Sequence, residues 1–427
     1  MKYYLVGIKG TGMSALANIL SDLGHEVRGV DYNKKYFTEA TFRKSIVVES
    51  FENYNLESEY FYIIGNAFKI HNLTSKIKDI GYQHMSYPQF LETFFKMKKI
   101  GISGSHGKTT TTSFLSQLLE SKVNALVGDG SGFGCKDAKY FLFEACEYQN
   151  HFLNYTFEYL VVLNIDYDHP DFFLTPQEYF HAFQKAVLNS KLLIVNFDDP
   201  ICRKLVHKNK ITYGFDSDSD VVIRLSGNKI CLTFLEDEYE FDFNYPGKYM
   251  AYNLAASFIV SYLILENKEA ICDKMKNLKL PARRFEEKTT DNGIVMVNDY
   301  AHHPTEIAVV VDALKNKYPT KSIVVVYQGH TYSRTSAFFD DYVTSLKKAD
   351  DVFIMPTFSS VREKDFDPYQ LLSGDKCFKK YDRNVLKSLL QSGNIVLAFL
   401  GAGDVDSEFN IFVHKNINYW KHLSYML

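Results

Sequence analysis

Residues 101–115 combine the residue types that hold a phosphate chain. They read GISGSHGKTTTTSFL, and the segment begins in an apolar, strand-like stretch. Backbone N–H groups at the start of a helix bind phosphate oxygens, and a lysine beside a threonine adds an ammonium and a hydroxyl that can bind Mg²⁺. We predict that Lys108 contacts the β and γ phosphates of a nucleoside triphosphate and that Thr109 binds the metal. The usual pattern has glycine where this chain has Ile102, so the loop is a variant.

A second glycine-rich turn lies near the start of the chain. An apolar stretch leads into GIKGTGMSA at 7–15 and then into an amphipathic helix. Gly10, Gly12 and Ala15 match a dinucleotide-binding pattern, and Asp31 lies 19 positions beyond Gly12, where an acid that binds a ribose is expected. The amides at the helix start would face a pyrophosphate. NAD and a nucleotide sugar remain open as ligands, and so does a purely structural turn.

Two residues that could act with Thr109 follow apolar stretches in the middle of the chain. Glu144 lies in FEACEY, and His169 lies in NIDYDHPD after a predicted strand at 159–165. Ligand groups of α/β proteins gather where parallel strands end, so we predict that both complete a Mg²⁺ site begun by Thr109 and the phosphates. Considered alone, His169 is more typical of a turn than of a metal site.

A third group of polar residues lies in the last third of the chain. It comprises ARRF at 282–285, NDYAHHP at 298–304 and QGHTYSR at 328–334, and the last two motifs follow apolar stretches. Converging arginine, histidine and aspartate side chains suit the recognition of phosphate and carboxylate groups. Zinc binding by His302 and His303 is disfavoured, because adjacent residues at a strand end point to opposite faces.

Patterning along the chain defines the fold class. Strand-length apolar runs alternate with helix-length segments over all 427 residues, which predicts an α/β fold with parallel sheets in about three domains. Strand and turn motifs restart near residues 94 and 281, where we place the boundaries. The most apolar stretch, at 254–265, is too short to span a bilayer and predicts a buried helix.

Charge and cysteine usage exclude several classes of protein. The net charge of −3 gives no overall attraction to nucleic acid or to an anionic membrane, so we expect neither as a partner. The six cysteines are scattered without a C-x-x-C pair, which disfavours a disulfide framework and favours a reducing compartment. The first residues run into the glycine turn without a signal-peptide pattern, and we expect a cytoplasmic protein.

Seven motifs together resemble those of the Mur ligase family, ATP-dependent enzymes that form amide bonds in peptidoglycan precursors. They are GSHGKTTTT, GDGSGFG, FEACEY, NIDYDHPD, ARRF, NDYAHHPTE and HTYSRT. They occur in the family's order and at its spacing, including the 25 positions from Glu144 to His169, and the resemblance extends from residue 6 to residue 404. FEACEY and HTYSRT are most similar to the alanine-adding branch of the family in firmicutes.

The resemblance implies three domains and a set of residue roles. The domains are an N-terminal Rossmann-like domain for a UDP sugar at 1–93, a central domain with a P-loop ATPase-like parallel sheet at 94–280, and a C-terminal Rossmann-like domain for the amino acid at 281–427. The implied ATP-binding residues are Gly104, Ser105, His106, Gly107, Lys108, Thr109, Thr110, Asn253, Arg284 and Asp299. Those for the UDP sugar are Gly7, Gly10, Thr11, Gly12, Met13, Ser14 and Asp31, and those for the amino acid are Tyr300, His302 and Arg334. The implied catalytic residues are Lys108, Glu144, His169, Arg284 and His302, and the implied metal ligands are Thr109, Glu144 and His169.

The implied reaction uses ATP and Mg²⁺ to join L-alanine to UDP-N-acetylmuramate through an acyl phosphate. His302, a substrate oxygen or water could accept the proton of the amine. A recycling ligase that attaches a whole peptide to the same sugar nucleotide is an alternative within the family, and a non-catalytic nucleotide sensor is an alternative outside catalysis.

Three positions depart from the family's usual residues. Ser105 replaces threonine, Met250 replaces an asparagine that often contacts adenine, and Thr331 replaces an arginine. The last change predicts that recognition of the alanine carboxylate depends more on Arg334.

Overall fold

The structure, a computed structural model, describes residues 1–245, 247–290, 293–358, 367–372, 375–390 and 394–417. Helices and strands alternate along the chain, and the strands form three sheets of five, ten and six strands. This architecture confirms the predicted α/β class. Among the helices in these ranges, none is both long and apolar enough to cross a membrane.

The first sheet is entirely parallel. Its strands are β1 Lys2–Val6, β2 Glu26–Asp31, β3 Val47–Ser50, β4 Phe61–Ile64 and β5 His84–Ser86. The strand order is β3-β2-β1-β4-β5, so the chain changes direction across the sheet between β1 and β4. Open α/β sheets bind ligands at such a switch point, beyond the carboxyl ends of the strands. The glycine turn after β1 lies there.

The second sheet is parallel in its interior and antiparallel at both edges. Its strands are β6 Lys98–Ser103, β7 Val123–Leu126, β8 Gly132–Phe133, β9 Tyr140–Glu144, β10 Phe157–Val162, β11 Ser190–Asn196, β12 Lys210–Gly214, β13 Val221–Ser226, β14 Lys229–Phe234 and β15 Asp237–Asp242. The order is β15-β14-β13-β12-β11-β10-β6-β9-β7-β8. The sequence predicts a parallel sheet and does not predict β8 or the antiparallel strands β13–β15. These strands are short or partly exposed and lack a continuous apolar run.

The third sheet carries the last group of motifs. Its strands are β16 Glu286–Thr289, β17 Val295–Asp299, β18 Ser322–His330, β19 Asp351–Phe358, β20 Phe378–Lys380 and β21 Ile395–Leu400. In the order β16-β17-β21-β18-β19-β20, only the β16–β17 pair is antiparallel. Val297 and Val325 lie in one apolar cluster, whereas Met296 and Val326 lie in another. Both faces of the sheet are therefore buried, as the continuous apolar runs predict.

Thirteen helices connect these strands within the described residues. They are α1 Thr11–Asp22, α2 Asn72–Ile80, α3 Tyr87–Phe94, α4 Lys108–Leu119, α5 Pro176–Leu188, α6 Lys248–Ile264, α7 Lys268–Met275, α8 Pro304–Lys317, α9 Tyr332–Ala337, α10 Phe339–Leu346, α11 Tyr369–Leu372, α12 Arg383–Leu389 and α13 Val405–Ile417. Short 3₁₀ turns cover Phe37–Thr41, Asn66–Phe68, Glu120–Lys122, Tyr148–Asn154 and Cys202–Lys204. Helix α6 covers residues 254–264 of the segment predicted at 254–265, and residues 254–261 are buried.

The chain forms two compact units. Unit 1 comprises Met1–Tyr167, Pro176–Phe243 and Ala251–Lys279 and carries the first and second sheets. Unit 2 comprises Asp168–Thr175, Asn244–Met250 and Leu280–Leu427 and carries the third sheet. Two short segments from the middle of the sequence thus belong with the C-terminal sheet, which the sequence patterns do not predict.

Two expectations about strand ends are wrong. Strand β10 ends at Val162, so His169 lies in the following loop and not directly at a strand end. His302 and His303 also lie beyond a strand, because β17 ends at Asp299 and His303 is the N-cap of α8. In both loops a carboxylate accepts the backbone N–H that a strand would use, Asp168 that of His169 and Glu306 that of His302.

Candidate active site

The predicted phosphate loop joins β6 to α4. Gly104 and Gly107 have φ angles of 129° and 85°, which glycine adopts without strain, and α4 begins at Lys108. Asn164 clamps the loop, because its side chain accepts the His106 N–H at 2.8 Å and donates to the His106 carbonyl at 3.0 Å. The clamped turn directs the first N–H groups of α4 towards one point, as a phosphate site requires.

Other side chains of this loop support its shape. The Ser105 hydroxyl donates to the Asp166 carbonyl at 2.6 Å and accepts the Asp166 N–H at 2.8 Å. The His106 imidazole lies 2.9 Å from the Asp166 carboxylate. Thr109 and Thr110 are buried in the first turn of α4. The replacement of threonine by Ser105 keeps the hydroxyl that makes these bonds.

Lys108 has a carboxylate partner that the motif does not predict. Its ammonium donates to the carbonyls of Gly104 and Ser105 and lies 3.2 Å and 3.1 Å from the two carboxylate oxygens of Glu147. The Glu147 residue is 1% exposed. Burial acts to lower the pKa of Lys108, but the negative charge of Glu147 raises it above its usual value. The lysine is therefore a charged group held in place at the start of α4.

Glu144 ends β9, the strand that neighbours β6. Its carboxylate accepts the Gly128 N–H at 2.6 Å. A Cβ at position 128 would lie 2.1 Å from Oε1 of Glu144, so only glycine permits this approach. The Glu144 carboxylate and the Thr109 hydroxyl are oxygen donors of the kind that Mg²⁺ prefers. These two residues of unit 1 fit the predicted metal site in their chemistry.

Asn253 lies beside the phosphate loop. A Cβ on Gly107 would lie 2.6 Å from Oδ1 of Asn253, so this amide packs directly against the turn. Asn253 is buried on α6, and Met250, three residues earlier on the same helix, is buried in unit 2. A methionine there offers an apolar surface and no strong hydrogen-bond donor.

No side chain in the described ranges caps the helix that follows the first glycine turn. Gly7 has a φ of 85°, and Gly10 is the N-cap of α1 and has no side chain to cap it. Asp31 accepts the N–H groups of Lys9 and Tyr32, each at 2.8 Å. Burial raises the pKa of Asp31, although both N–H groups act against the shift. The carboxylate thus braces the turn, in addition to any contact with a ribose.

Within unit 1, the GDGSGFG segment packs on α1. The Gly130 carbonyl accepts from the Ser14 hydroxyl at 3.0 Å and from the Asn18 amide at 3.3 Å. Gly12 faces a phenol on the other side, since a Cβ there would lie 2.6 Å from the hydroxyl oxygen of Tyr87. The start of α1 is therefore closely packed around the sites where the sequence has glycine.

In unit 2, Asp168 and Arg334 form a buried bidentate ion pair. Nε of Arg334 lies 2.8 Å from Oδ1 of Asp168, and Nη2 lies 3.1 Å from Oδ2. Burial acts to raise the pKa of Asp168, but the positive charge of Arg334 outweighs it and holds the pKa well below its usual range. His169 follows with a φ of 58°, and its N–H donates to Oδ1 of Asp168 at 2.7 Å. Two N–H groups on one edge of the Arg334 guanidinium thus donate to Asp168.

The surroundings of His302 favour the neutral form of its imidazole ring. Its Nδ1 lies 3.0 Å from the Tyr300 carbonyl and 3.4 Å from the Glu306 carboxylate. Because both neighbours are acceptors, we assign the ring proton to Nδ1, which leaves Nε2 as an acceptor. Burial lowers the pKa of His302 to about 3. The rings of Tyr300 and His330 lie 5.3 Å and 5.9 Å away and complete a cluster of rings.

Asp299 and Arg284 join two of the predicted motifs. The Asp299 carboxylate accepts the N–H groups of Phe285 at 2.7 Å and Ala301 at 2.8 Å. Burial raises the pKa of Asp299 to about 6, although the charge of Arg284 acts to lower it. The Arg284 guanidinium lies over the Tyr300 ring at 5.1 Å. ARRF and NDYAHHP therefore converge at one edge of the third sheet, as predicted.

The predicted site residues divide between the two units. Unit 1 contains Gly7, Gly10, Thr11, Gly12, Met13, Ser14, Asp31, Gly104, Ser105, His106, Gly107, Lys108, Thr109, Thr110, Glu144 and Asn253. Unit 2 contains His169, Arg284, Asp299, Tyr300, His302 and Arg334. The sequence analysis missed Glu147 and Asp168, although each stands within three positions of a selected residue. The sequence signal that could have identified both residues is a second acidic residue in each of the motifs FEACEY and NIDYDHPD.

Comparisons with known proteins agree along nearly the whole chain. Models of the Mur ligase family match in three successive parts: the catalytic domain at residues 2–99, the middle domain at 102–261 and the glutamate ligase domain at 283–396. The UDP-N-acetylmuramate-alanine ligase MurC of Thermotoga maritima is 20% identical, with a TM-score of 0.78 over 97% of this chain and 99% of that one.

Two further solved structures share the fold. A murein peptide ligase of Psychrobacter arcticus is 18% identical, with a TM-score of 0.70 over 98% of this chain and 99% of that one. The MurF ligase of Thermotoga maritima in complex with ADP is 18% identical, with a TM-score of 0.60 over 92% of this chain and 95% of that one.

Three sheets connected by helices, with a clamped phosphate loop on the middle sheet, together with the family matches define an ATP-dependent ligase. The chain belongs to the Mur ligase family, the ligases of peptidoglycan precursor synthesis. Members of this family use ATP, Mg²⁺, a UDP sugar and an amino acid.

Proposed function

We propose that this Mur ligase joins L-alanine to UDP-N-acetylmuramate in the cytoplasm, with ADP and phosphate as the other products. In this proposal residues 1–93 bind the UDP sugar, 94–280 bind ATP, and 281–427 bring the amino acid. The product would enter the synthesis of the cell wall and thereby affect cell shape and division.

The observation that carries the proposal is the buried Arg334 guanidinium near a cluster of rings in unit 2. Arg334 is part of the HTYSRT motif, and its guanidinium forms an ion pair with the Asp168 carboxylate. A planar guanidinium recognises a carboxylate, and the α-carboxylate of the amino acid stays free throughout the reaction, whereas the lactyl carboxylate of the sugar is phosphorylated. We assign Arg334 to that carboxylate, and Tyr300 and His302 to the surroundings of the amine.

The first chemical step transfers the γ-phosphoryl group of ATP to the lactyl carboxylate of the sugar nucleotide. Both reactants are anions, so the barrier falls when cationic groups surround them. In this proposal Lys108 would contact the phosphates, Arg284 would balance their charge, and Asn253 and Asp299 would contact the nucleotide. Thr109, Glu144 and His169 would hold Mg²⁺, which when bound neutralises phosphate charge.

In the second step the amine of alanine attacks the acyl phosphate, and phosphate leaves. The amine must be neutral to attack. Nε2 of His302 can accept a hydrogen bond from it and orient its lone pair. Because the pKa of His302 is about 3, the ring does not retain a proton at neutral pH, so a substrate oxygen or water takes the proton finally.

The test is a reaction survey with the purified protein, ATP, Mg²⁺ and UDP-N-acetylmuramate. Each amino acid is added separately, and phosphate release and the mass of the product are measured. We expect turnover with L-alanine and slower turnover with glycine and L-serine. Turnover with a free peptide instead of L-alanine would identify a recycling ligase, and an absence of turnover together with tight nucleotide binding would identify a sensor.

A further inference from the structure

Asp168 holds one edge of Arg334. The pair joins Nε to Oδ1 and Nη2 to Oδ2, with the two side chains 6% and 8% exposed. Both residues belong to unit 2, although Asp168 comes from the middle of the sequence. A bidentate pair fixes the plane of a guanidinium as well as its position.

The geometry of the pair determines which donors remain. A guanidinium has five N–H groups in one plane. The pair uses the N–H of Nε and one N–H of Nη2, so the end formed by Nη1 and the second N–H of Nη2 points away from Asp168. Within the described part of the chain, Nη1 donates no hydrogen bond. That end has the spacing to receive a second carboxylate.

Arg334 is the ion-pair partner of Asp168, and both side chains are buried. A buried carboxylate with a buried guanidinium is costly to separate, because each would lose its counter-ion in a region of low dielectric. Arg334 therefore has one stable orientation, and a substrate does not need to organise it.

Thr331, three positions before Arg334, is a weaker candidate for binding a carboxylate. Thr331 is the N-cap of α9 with a φ of 68°, and its carbonyl accepts from the Thr335 hydroxyl at 2.8 Å. Its own hydroxyl can supply one neutral hydrogen bond. Of these two residues, only Arg334 can make a charged, two-point contact with a carboxylate.

We propose that Asp168 is a positioning residue for the amino-acid site, which presents the Nη1 end of Arg334 to the α-carboxylate of the substrate. This inference depends on the proposed function. It assigns the enzyme's preference for a free carboxylate to the pair and not to Arg334 alone.

The test compares Asp168→Asn, Arg334→Lys and the double variant with the unmutated enzyme, and varies each substrate in turn. For Asp168→Asn we expect the KM for L-alanine to rise on the order of tenfold to a hundredfold, with the KM values for ATP and the sugar nucleotide nearly unchanged. The double variant should show little further rise beyond Arg334→Lys, because Asp168 acts through the guanidinium fork. Additive rises would overturn the proposal.

A second readout separates positioning from structural support. L-Alaninamide has the amine of the substrate but no carboxylate. The ratio of kcat/KM for L-alanine to that for L-alaninamide should fall about tenfold or more in Asp168→Asn. A loss of folding alone would lower both values together. Asp171→Asn, an exposed residue of the same segment, serves as the matched control and should keep the ratio.

The outcomes separate the two proposals. If the unmutated protein does not ligate L-alanine, the proposed function fails. If it does and the ratio is unchanged in Asp168→Asn, or if only the KM for ATP rises, the positioning role fails. If Asp168→Asn does not fold, the Arg334→Lys variant alone provides the test. It keeps a cation beside Asp168 and removes the planar guanidinium. An unchanged L-alanine KM in that variant would overturn the proposal.

Discussion

The Lys108 ammonium lies 3.1 Å from the Glu147 carboxylate, with 15% and 1% of the two side chains exposed. The start of α4 thus contains its own counter-ion. If a nucleotide binds there as proposed, its phosphate meets an ammonium whose charge is already balanced, and we predict that binding involves an exchange of partners.

Replacement of Lys108 by alanine should abolish turnover in a protein that still folds, although its free energy of unfolding should fall because the buried Glu147 carboxylate loses its counter-ion. The lysine supplies a positive charge at the start of α4, and its loss removes charge stabilisation from the phosphoryl transfer. Phosphate release and circular dichroism would be measured on the same preparation. Near-normal phosphate release by a folded variant would contradict the assignment of the loop.

Replacement of Glu147 by glutamine should destabilise the nucleotide-free protein by about 3 kcal/mol, because it leaves a buried ammonium without its counter-ion. ADP should recover much of this loss, since its phosphates supply the missing charge. Urea unfolding with and without ADP provides the measurement. Equal destabilisation in both conditions would refute the exchange of partners.

An exposed pair provides the control for that experiment. Lys229 and Glu240 form an ion pair with 55% and 53% of their side chains exposed. Glu240→Gln makes the same chemical change, and we expect a loss of about 1 kcal/mol or less, with no dependence on ADP.

A methyl group at position 12 should weaken binding of the sugar nucleotide. In Gly12→Ala the new Cβ would lie 2.6 Å from the Tyr87 hydroxyl oxygen, so the start of α1 or the phenol must move. Overpacking of this kind costs about 1 to 3 kcal/mol, and we expect a rise on the order of tenfold in the KM for UDP-N-acetylmuramate, with little change for ATP.

The double variant Gly12→Ala, Tyr87→Phe tests the cause of that effect. Removal of the hydroxyl leaves the nearest ring carbon 3.0 Å from the new Cβ, so part of the loss should be recovered. Calorimetric titration with UDP-N-acetylmuramate and with NAD would also determine the ligand of the turn. Tight binding of NAD without binding of the sugar nucleotide would reverse our interpretation.

Asp299 should make the stability of the protein depend on pH. Burial raises the pKa of Asp299 to about 6, against about 4 in an unfolded chain. Between these values the folded protein holds a proton that the unfolded chain has released, so the free energy of unfolding falls as pH rises and becomes level above about pH 6.

The variant Asp299→Asn lacks this titration. Relative to the unmutated protein, it should gain about 3 kcal/mol in the free energy of unfolding between pH 4 and pH 7, in addition to a constant loss from the altered hydrogen bonds. Urea unfolding at several pH values measures the difference. A difference that does not change with pH would show that folding does not raise the pKa of Asp299.

The sequence by itself determined the features that depend on neighbouring residues. The phosphate loop from Gly104 to Thr109 and the glycine turn before α1 each need a strand, a turn and a helix in immediate succession, and the residue types at consecutive positions encode all three. The buried strands of the third sheet were also predictable, because burial on both faces demands continuous apolar runs.

Only the tertiary structure decided which charges meet. Glu147 lies 39 positions after Lys108, and Arg334 lies 166 positions after Asp168. No local pattern encodes either pair. The order of the strands brings Glu147 to Lys108, and Asp168 meets Arg334 because its short segment belongs to unit 2. The same physical cause lowers the pKa of His302 and raises that of Asp299, because burial is a property of the assembled fold and not of the residue or its neighbours in sequence.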